Sequence, residues 1–235
     1  MSPGPNTIRY SIDVGGDSFV WNVDWSEEAT VEKSDDLPEW TRLDFCQCEC
    51  CPLKKEDHPH CPAAVRAHEV LTTFSNARSF DVVSVEVETL QREYRKKLPL
   101  QTALQSLLGL LMSTSGCPVL GRFRPLASFH MPFSSFEETL FRTVGAYLIH
   151  QYFESREEGN PDWKLEGLKE FYRTLEGLNR NFSSRIQAVE ENDAISNAIV
   201  IFFSTSLVVV DSIEDGLEEY RNLFTAKPPK KDADS

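Results

Sequence analysis

The sequence predicts an α+β fold: a small N-terminal antiparallel sheet packed against a mainly helical C-terminal bundle, with a cysteine-rich loop in the N-terminal half. Three observations predict it. Apolar and polar residues alternate over 7–24 and again over 80–88. Apolar residues at helical spacing take over from Pro99. Five of the six cysteines fall within the sixteen residues 46–61.

The strands come first. Ile8, Tyr10, Ile12 and Val14 alternate with Arg9, Ser11 and Asp13, and Phe19, Trp21 and Val23 alternate with Val20, Asn22 and Asp24. Gly15-Gly16-Asp17 between them supplies the positive φ that tight hairpins require, so 7–14 and 18–24 form a β-hairpin. Residues 25–36 are acidic and irregular, a loop. Pro38 biases Leu37 toward extended backbone, and Leu37 to Phe45 leads into the cysteines. Pro62 opens a helix over 63–74, because the first helical N–H has no intrahelical partner to lose. Val83, Val85 and Val87 line one face of a strand over 80–88, and 91–97 continues it or pairs beside it.

From Pro99 the period changes. Leu100, Leu104, Leu107, Leu108 and Leu111 fall on one helical face, with Gly116 as a stop and Pro118 barring continuation. Residues 117–134 read as a loop carrying Arg122, Arg124 and His130. Ser135 and Glu138 stand at capping-box spacing before a helix over 136–154. Helices over 162–190 and 193–223 follow, with Asp162 and either Asn192 or Asp193 as N-caps. The tail, AKPPKKDADS, is charged and proline-bearing, the composition of a disordered segment. With no repeat and no clear linker, 1–225 reads as one domain. Its N-terminal β and cysteine-rich part spans 1–98, its helical part spans 99–225, and 226–235 form the tail.

Composition narrows the function. The net charge of −13 opposes general nucleic-acid binding and adhesion to anionic membranes, both of which draw on Lys and Arg. Charge is uneven: residues 1–45 carry −7, and residues 91–125 carry +5. A basic patch of that kind either holds a small anionic ligand or pairs with the protein's own acidic surface. The start, MSPGPNTIRY, lacks the basic opening and apolar core of a secretory signal, which predicts a cytoplasmic chain with reduced thiols. The apolar stretch Ala194 to Val210 is too short and too hydroxyl-rich to span a membrane and reads as a buried helix.

The cysteine segment, FCQCECCPLKKEDHPHCPAA, predicts a metal-binding loop. Cys48-x-x-Cys51 lets two thiolates reach one ion from a single turn, and Cys61 follows after nine residues stiffened by Pro52 and Pro59. A structural zinc takes four ligands in a tetrahedron. Cys117, where the chain turns sharply after a helix, is the first choice for the fourth, with Cys46, His58, His60 and His130 as alternatives. Plain reduced thiols, a redox switch and an iron–sulfur cluster are the competing readings, the last without a recognised ligand spacing.

Catalytic signatures are missing. The sequence holds no glycine-rich phosphate loop, no HExxH and no GxSxG. His130 lies near Glu137, Glu138 and Arg142 but has no nucleophile at a recognisable spacing.

Several blocks resemble an uncharacterised bacterial family, a domain of unknown function, over roughly residues 7–225. They are LPEWTRLDF, then CxxCPL, HPHCP, LQSLLGLLMSTSGCP, FHMPF with EET and an arginine, and YLIHQYF. The resemblance implies a bacterial cytosolic protein and no assigned activity. It matches Cys48, Cys51, Cys61, Cys117 and His130, with Cys46 and Cys50 as additions of this sequence, and so supports Cys48, Cys51, Cys61 and Cys117 as the ligand set. The expected function is a non-enzymatic, zinc-stabilised binding or regulatory domain whose partner is a protein or a small anionic ligand. The alternatives are a metal-dependent hydrolase using His130 or Glu138 as acid/base partner, and a thiol or iron–sulfur redox sensor.

Overall fold

A computed structural model of the protein describes residues 3–26, 37–157, 159–188, 197 and 208–224. Four strands form one antiparallel sheet in the order β2-β1-β3-β4, from β1 (Thr7–Val14), β2 (Asp17–Asp24), β3 (Val82–Glu88) and β4 (Glu93–Pro99). The alternation seen in the sequence becomes one buried face. Tyr10 sits opposite Trp21 on one side and Val87 on the other, Ile12 opposite Phe19 and Val85, and Val83 opposite Leu98. Gly15 and Gly16 make the hairpin turn at φ of 62° and 102°, where a Cβ would strain the backbone. The stretch 91–97 pairs beside β3 instead of extending it.

Helices α1 (Pro62–Thr73) and α2 (Leu100–Ser113) pack on each other, and α2 also meets β3 and β4. The leucine face of α2 is fully buried, and Ala103, Leu110 and Met112 extend burial around most of its circumference. Each such leucine contributes about 2 kcal/mol of transfer free energy, which makes α2 the axis of the core.

The expected loop over 117–134 holds more structure than its prolines suggest. Leu120–Phe123 is a 3₁₀ turn that runs into a short helix, α3 (Arg124–Ser128), with Pro125 in its first turn. α4 (Phe136–Arg156) begins at the expected capping box: Ser135 Oγ accepts from the Glu138 N–H, and Glu138 Oε2 accepts from the Ser135 N–H.

α5 (Glu166–Gln187) starts later than Asp162, which is not its N-cap. That position belongs to Leu165, in left-handed backbone at φ 62°. Asp162 instead ties the preceding loop, accepting from Tyr147 Oη and from the N–H groups of Lys164 and Gly167. Of the helix expected over 193–223, residues 208–214 are helical, followed by short turns over Glu218–Tyr220 and Arg221–Phe224. Most of the acidic loop, most of the apolar stretch 194–210 and the tail lie outside the described residues. Among the described residues, no helix is long and apolar enough to cross a membrane.

Candidate functional site

Three separate elements present the cysteines. The Cys51 N–H donates to the Cys48 carbonyl at 2.9 Å, closing the turn that CxxC spacing implies. An antiparallel bridge, Arg42 with His60, forms the neck of this loop, and the Cys61 N–H donates to the Thr41 carbonyl at 2.7 Å. Cys61 is the N-cap of α1. Cys117 lies just beyond α2, after Gly116 at φ 87°, with its N–H on the Ser115 hydroxyl.

Cys51, Cys61 and Cys117 all stand near enough to Cys48 to act on its ionisation, as does Cys50. Cys48 is pushed up to about 12, first by burial and then by Cys61, Cys50, Cys117 and Cys51. Cys117 is pushed up to about 11, first by burial, with smaller contributions from Cys61 and Cys51. Cys61 is also raised, chiefly by burial. Backbone N–H groups of Ala63 and Ala64 face the Cys61 sulfur, and those of Val119 and Leu120 face the Cys117 sulfur. Donors in those places favour thiolate.

Among the described residues, however, no three thiol or imidazole ligand atoms lie within 4.8 Å of one another. Zinc–sulfur bonds of about 2.3 Å give a tetrahedral edge of about 3.8 Å. Closing the four sulfurs on one ion therefore requires them to stand closer together than they do here.

The other proposed ligands stand apart. Cys46 and His58 are exposed. The Thr41 hydroxyl donates to the Pro38 carbonyl, so its oxygen accepts from His60 Nδ1 at 2.8 Å and leaves Nε2 as the free lone pair. His130 belongs to a different cluster, described below, and no cysteine acts on it.

Sequence reasoning missed Arg185. It reaches from α5 into the neck of the cysteine loop and is 2% exposed. Its Nη1 donates to the carbonyls of Trp40 and Arg42, and its Nη2 to that of Leu43. No carboxylate pairs with it among the described residues, and the ionisable group it acts on is Cys61. One α5 turn earlier, Asn181 donates to the Gln47 carbonyl at 3.0 Å. The loop is thus clamped from α5 at two points.

A second polar cluster sits under the sheet. Tyr10 Oη hydrogen-bonds to Ser106 Oγ at 2.8 Å and to His130 Nε2 at 2.5 Å. Burial, aided by the Arg142 charge, holds His130 down to about 3, and burial raises Tyr10 above the usual phenol range. Both are neutral near pH 7. Arg142 is half-buried, with Nη2 on the carbonyls of Leu126 and Phe129 and Nη1 near Ser134 Oγ. Ser106, His130 and Arg142 line a cavity of about 230 Å³.

Glu138 is engaged in its cap, and no nucleophile–base pair faces this cavity. The basic stretch 91–125 disperses: Arg95 pairs with Glu86 and Glu93, Arg122 stacks on the Phe171 ring at 4.1 Å, and Lys96 stands at the cavity. Arg9 and Arg95 compensate the Glu86, Glu88 and Glu93 group, whose ligand atoms lie within 4.8 Å of one another.

A family model described as a domain of unknown function, DUF6901, matches residues 7–225, a span that includes every residue of both clusters. The chain belongs to DUF6901. No curated protein and no solved structure matches this DUF6901 chain.

Proposed function

We propose that this DUF6901 chain is a non-enzymatic binding or regulatory domain whose cysteine loop is held by one zinc ion on Cys48, Cys51, Cys61 and Cys117. The observation that carries the reading is Arg185. A buried guanidinium with no carboxylate partner among the described residues is costly unless another anion is near, and the ionisable group that it acts on is the Cys61 thiol. Four thiolates on a divalent zinc carry a net charge of −2, a compensation that no described carboxylate gives Arg185. The same ion accounts for thiols crowded where each makes ionisation of the next harder, since metal binding deprotonates its ligands outright.

The redox-sensor reading is weaker on this geometry. Thiols pushed up to about 12 and about 11 are poor nucleophiles near neutral pH. The hydrolase reading loses its acid/base partner, because His130 and Glu138 are engaged elsewhere.

The test is metal content by elemental mass spectrometry on protein purified without chelator, with a visible spectrum, for the wild type and Cys51→Ser. The expected result is about one zinc per chain in a colourless wild type, and a variant that loses the metal and melts at much lower temperature, since metal affinity is folding free energy here. A zinc-free wild type, or an unchanged melting midpoint in Cys51→Ser, defeats the proposal. Iron with visible absorption replaces it with a redox centre.

A further inference from the structure

The cavity beside His130 is built against the charge of its own chain. Acidic residues outnumber basic ones by 13 over the whole sequence, yet among the described residues no Asp or Glu lines this cavity, and Lys96 and Arg142 do. Arg142 is the decisive group. Both Nη2 hydrogens and one Nη1 hydrogen go to protein oxygens, which fixes the guanidinium plane. Among the described residues, Nε and the second Nη1 hydrogen have no acceptor and no carboxylate forms an ion pair with this arginine, although the capping carboxylate of Glu138 is near enough to act on its charge. It is therefore a rigid, partly desolvated cation with spare donors.

Across the cavity, the chemistry is apolar or neutral. Leu98, Leu110, Phe133 and Leu175 supply apolar wall. Ser106, Tyr10 and His130 are linked in a neutral chain, so His130 brings no second positive charge. The α2 wall is made by Thr102, Gln105, Ser106, Gly109 and Ser113, a stripe of small or polar residues that leaves space where the leucine face fills it.

We propose that this cavity binds a small organic monocarboxylate, with its carboxylate on Arg142 and a compact apolar body against Leu98, Leu110 and Phe133. The volume of about 230 Å³ is that of roughly eight water molecules at liquid density, which limits the ligand to about ten non-hydrogen atoms. This deepens the binding-domain reading by naming a ligand class. It rests on that reading only in treating the site as non-catalytic, and not on zinc.

Saturation-transfer NMR and calorimetry with benzoate and hexanoate test it, with benzamide as the uncharged control and inorganic phosphate as a compact competitor. The acids bind with a Kd on the order of 0.1–1 mM, as expected for ligands of this size, and benzamide binds at least about tenfold more weakly. Arg142→Gln weakens benzoate by about tenfold or more, the value of a charge-assisted hydrogen bond. Because Arg142 also holds the Leu126 and Phe129 carbonyls, Lys96→Glu at the exposed rim is the second variant. It leaves the melting midpoint in place and weakens benzoate by about threefold, an effect that salt removes.

Absence of saturation transfer to folded wild type overturns the proposal. So does equal binding of benzamide, or affinity unchanged in both variants. Phosphate that displaces benzoate and binds more tightly overturns the apolar half of it. A metal-free chain that binds the acids defeats zinc alone, and a zinc-loaded chain that binds none defeats the pocket alone.

Discussion

The thiol cluster and the Ser106–Tyr10–His130 chain are both polar groups set into the same hydrophobic core, and desolvation acts on them differently. In the polar chain two hydrogen bonds link three neutral side chains, and both titratable groups stay neutral without an added ion. In the thiol cluster the groups oppose one another's ionisation, and the buried charge beside them, Arg185, is positive. The first arrangement carries no charge that needs a counterion. The second becomes electrically coherent when a cation gathers the sulfurs as thiolates. Burial by itself therefore does not mark a functional group; a mismatch of charge at a buried site does.

The largest expected effect comes from breaking the side that depends on charge. Arg185→Met removes the guanidinium and leaves the carbonyls of Trp40, Arg42 and Leu43 without that donor. It should cost about 3 kcal/mol or more in urea unfolding, with loss of zinc from the variant. A variant as stable as the wild type that keeps its metal would remove Arg185 from the account.

A smaller effect sharpens the other side. His130 has a folded pKa of about 3, below its usual value near 6.5. Above pH 6.5 it is neutral in both states. Below that, the unfolded chain takes up a proton that the folded chain refuses, so stability falls as pH drops from about 6.5 toward 3. The loss is about 2 kcal/mol at pH 5 relative to pH 7. His68, also lowered by burial, adds to it with the same sign. Urea unfolding of wild type and His130→Gln at the two pH values measures this. If the variant keeps the whole acid-side slope, His130 is not its source.

The smallest effect is Tyr10→Phe, at about 1–2 kcal/mol. Both former partners line the cavity, where water can reach them. A loss as large as that of Arg185→Met would mean that the polar chain is not the self-contained half of the comparison.

Legibility followed the range of the interactions. The hairpin was readable because alternation and Gly15-Gly16 are local, and the cap of α4 because Ser135 and Glu138 lie three residues apart. The turn between Cys48 and Cys51 was readable for the same reason. Pro125 reads as loop punctuation, but a proline in the first turn of a five-residue helix looks no different in sequence. Asp162 has the character of a cap and serves as a loop tie, because its acceptors are filled by Tyr147 and by N–H groups up to five residues on. Arg185 was invisible: it sits in an amphipathic helix where arginines normally face water, and its acceptors are more than 140 residues away. The cavity had one unread signal, the stripe of small and polar residues opposite the leucines of α2.

The clamp from α5 also bears on how the chain is made. Synthesis delivers the cysteine loop early, and the arginine and asparagine that grip it arrive at residues 185 and 181. Pairings this distant in sequence close late, because loop-closure entropy is lost before the contacts form. On the ribosome, Cys48, Cys51 and Cys61 are therefore exposed as unclamped thiols while α2, Cys117 and α5 are still to come. The half of this protein that carries the cysteine loop is thus translated before the groups that clamp it.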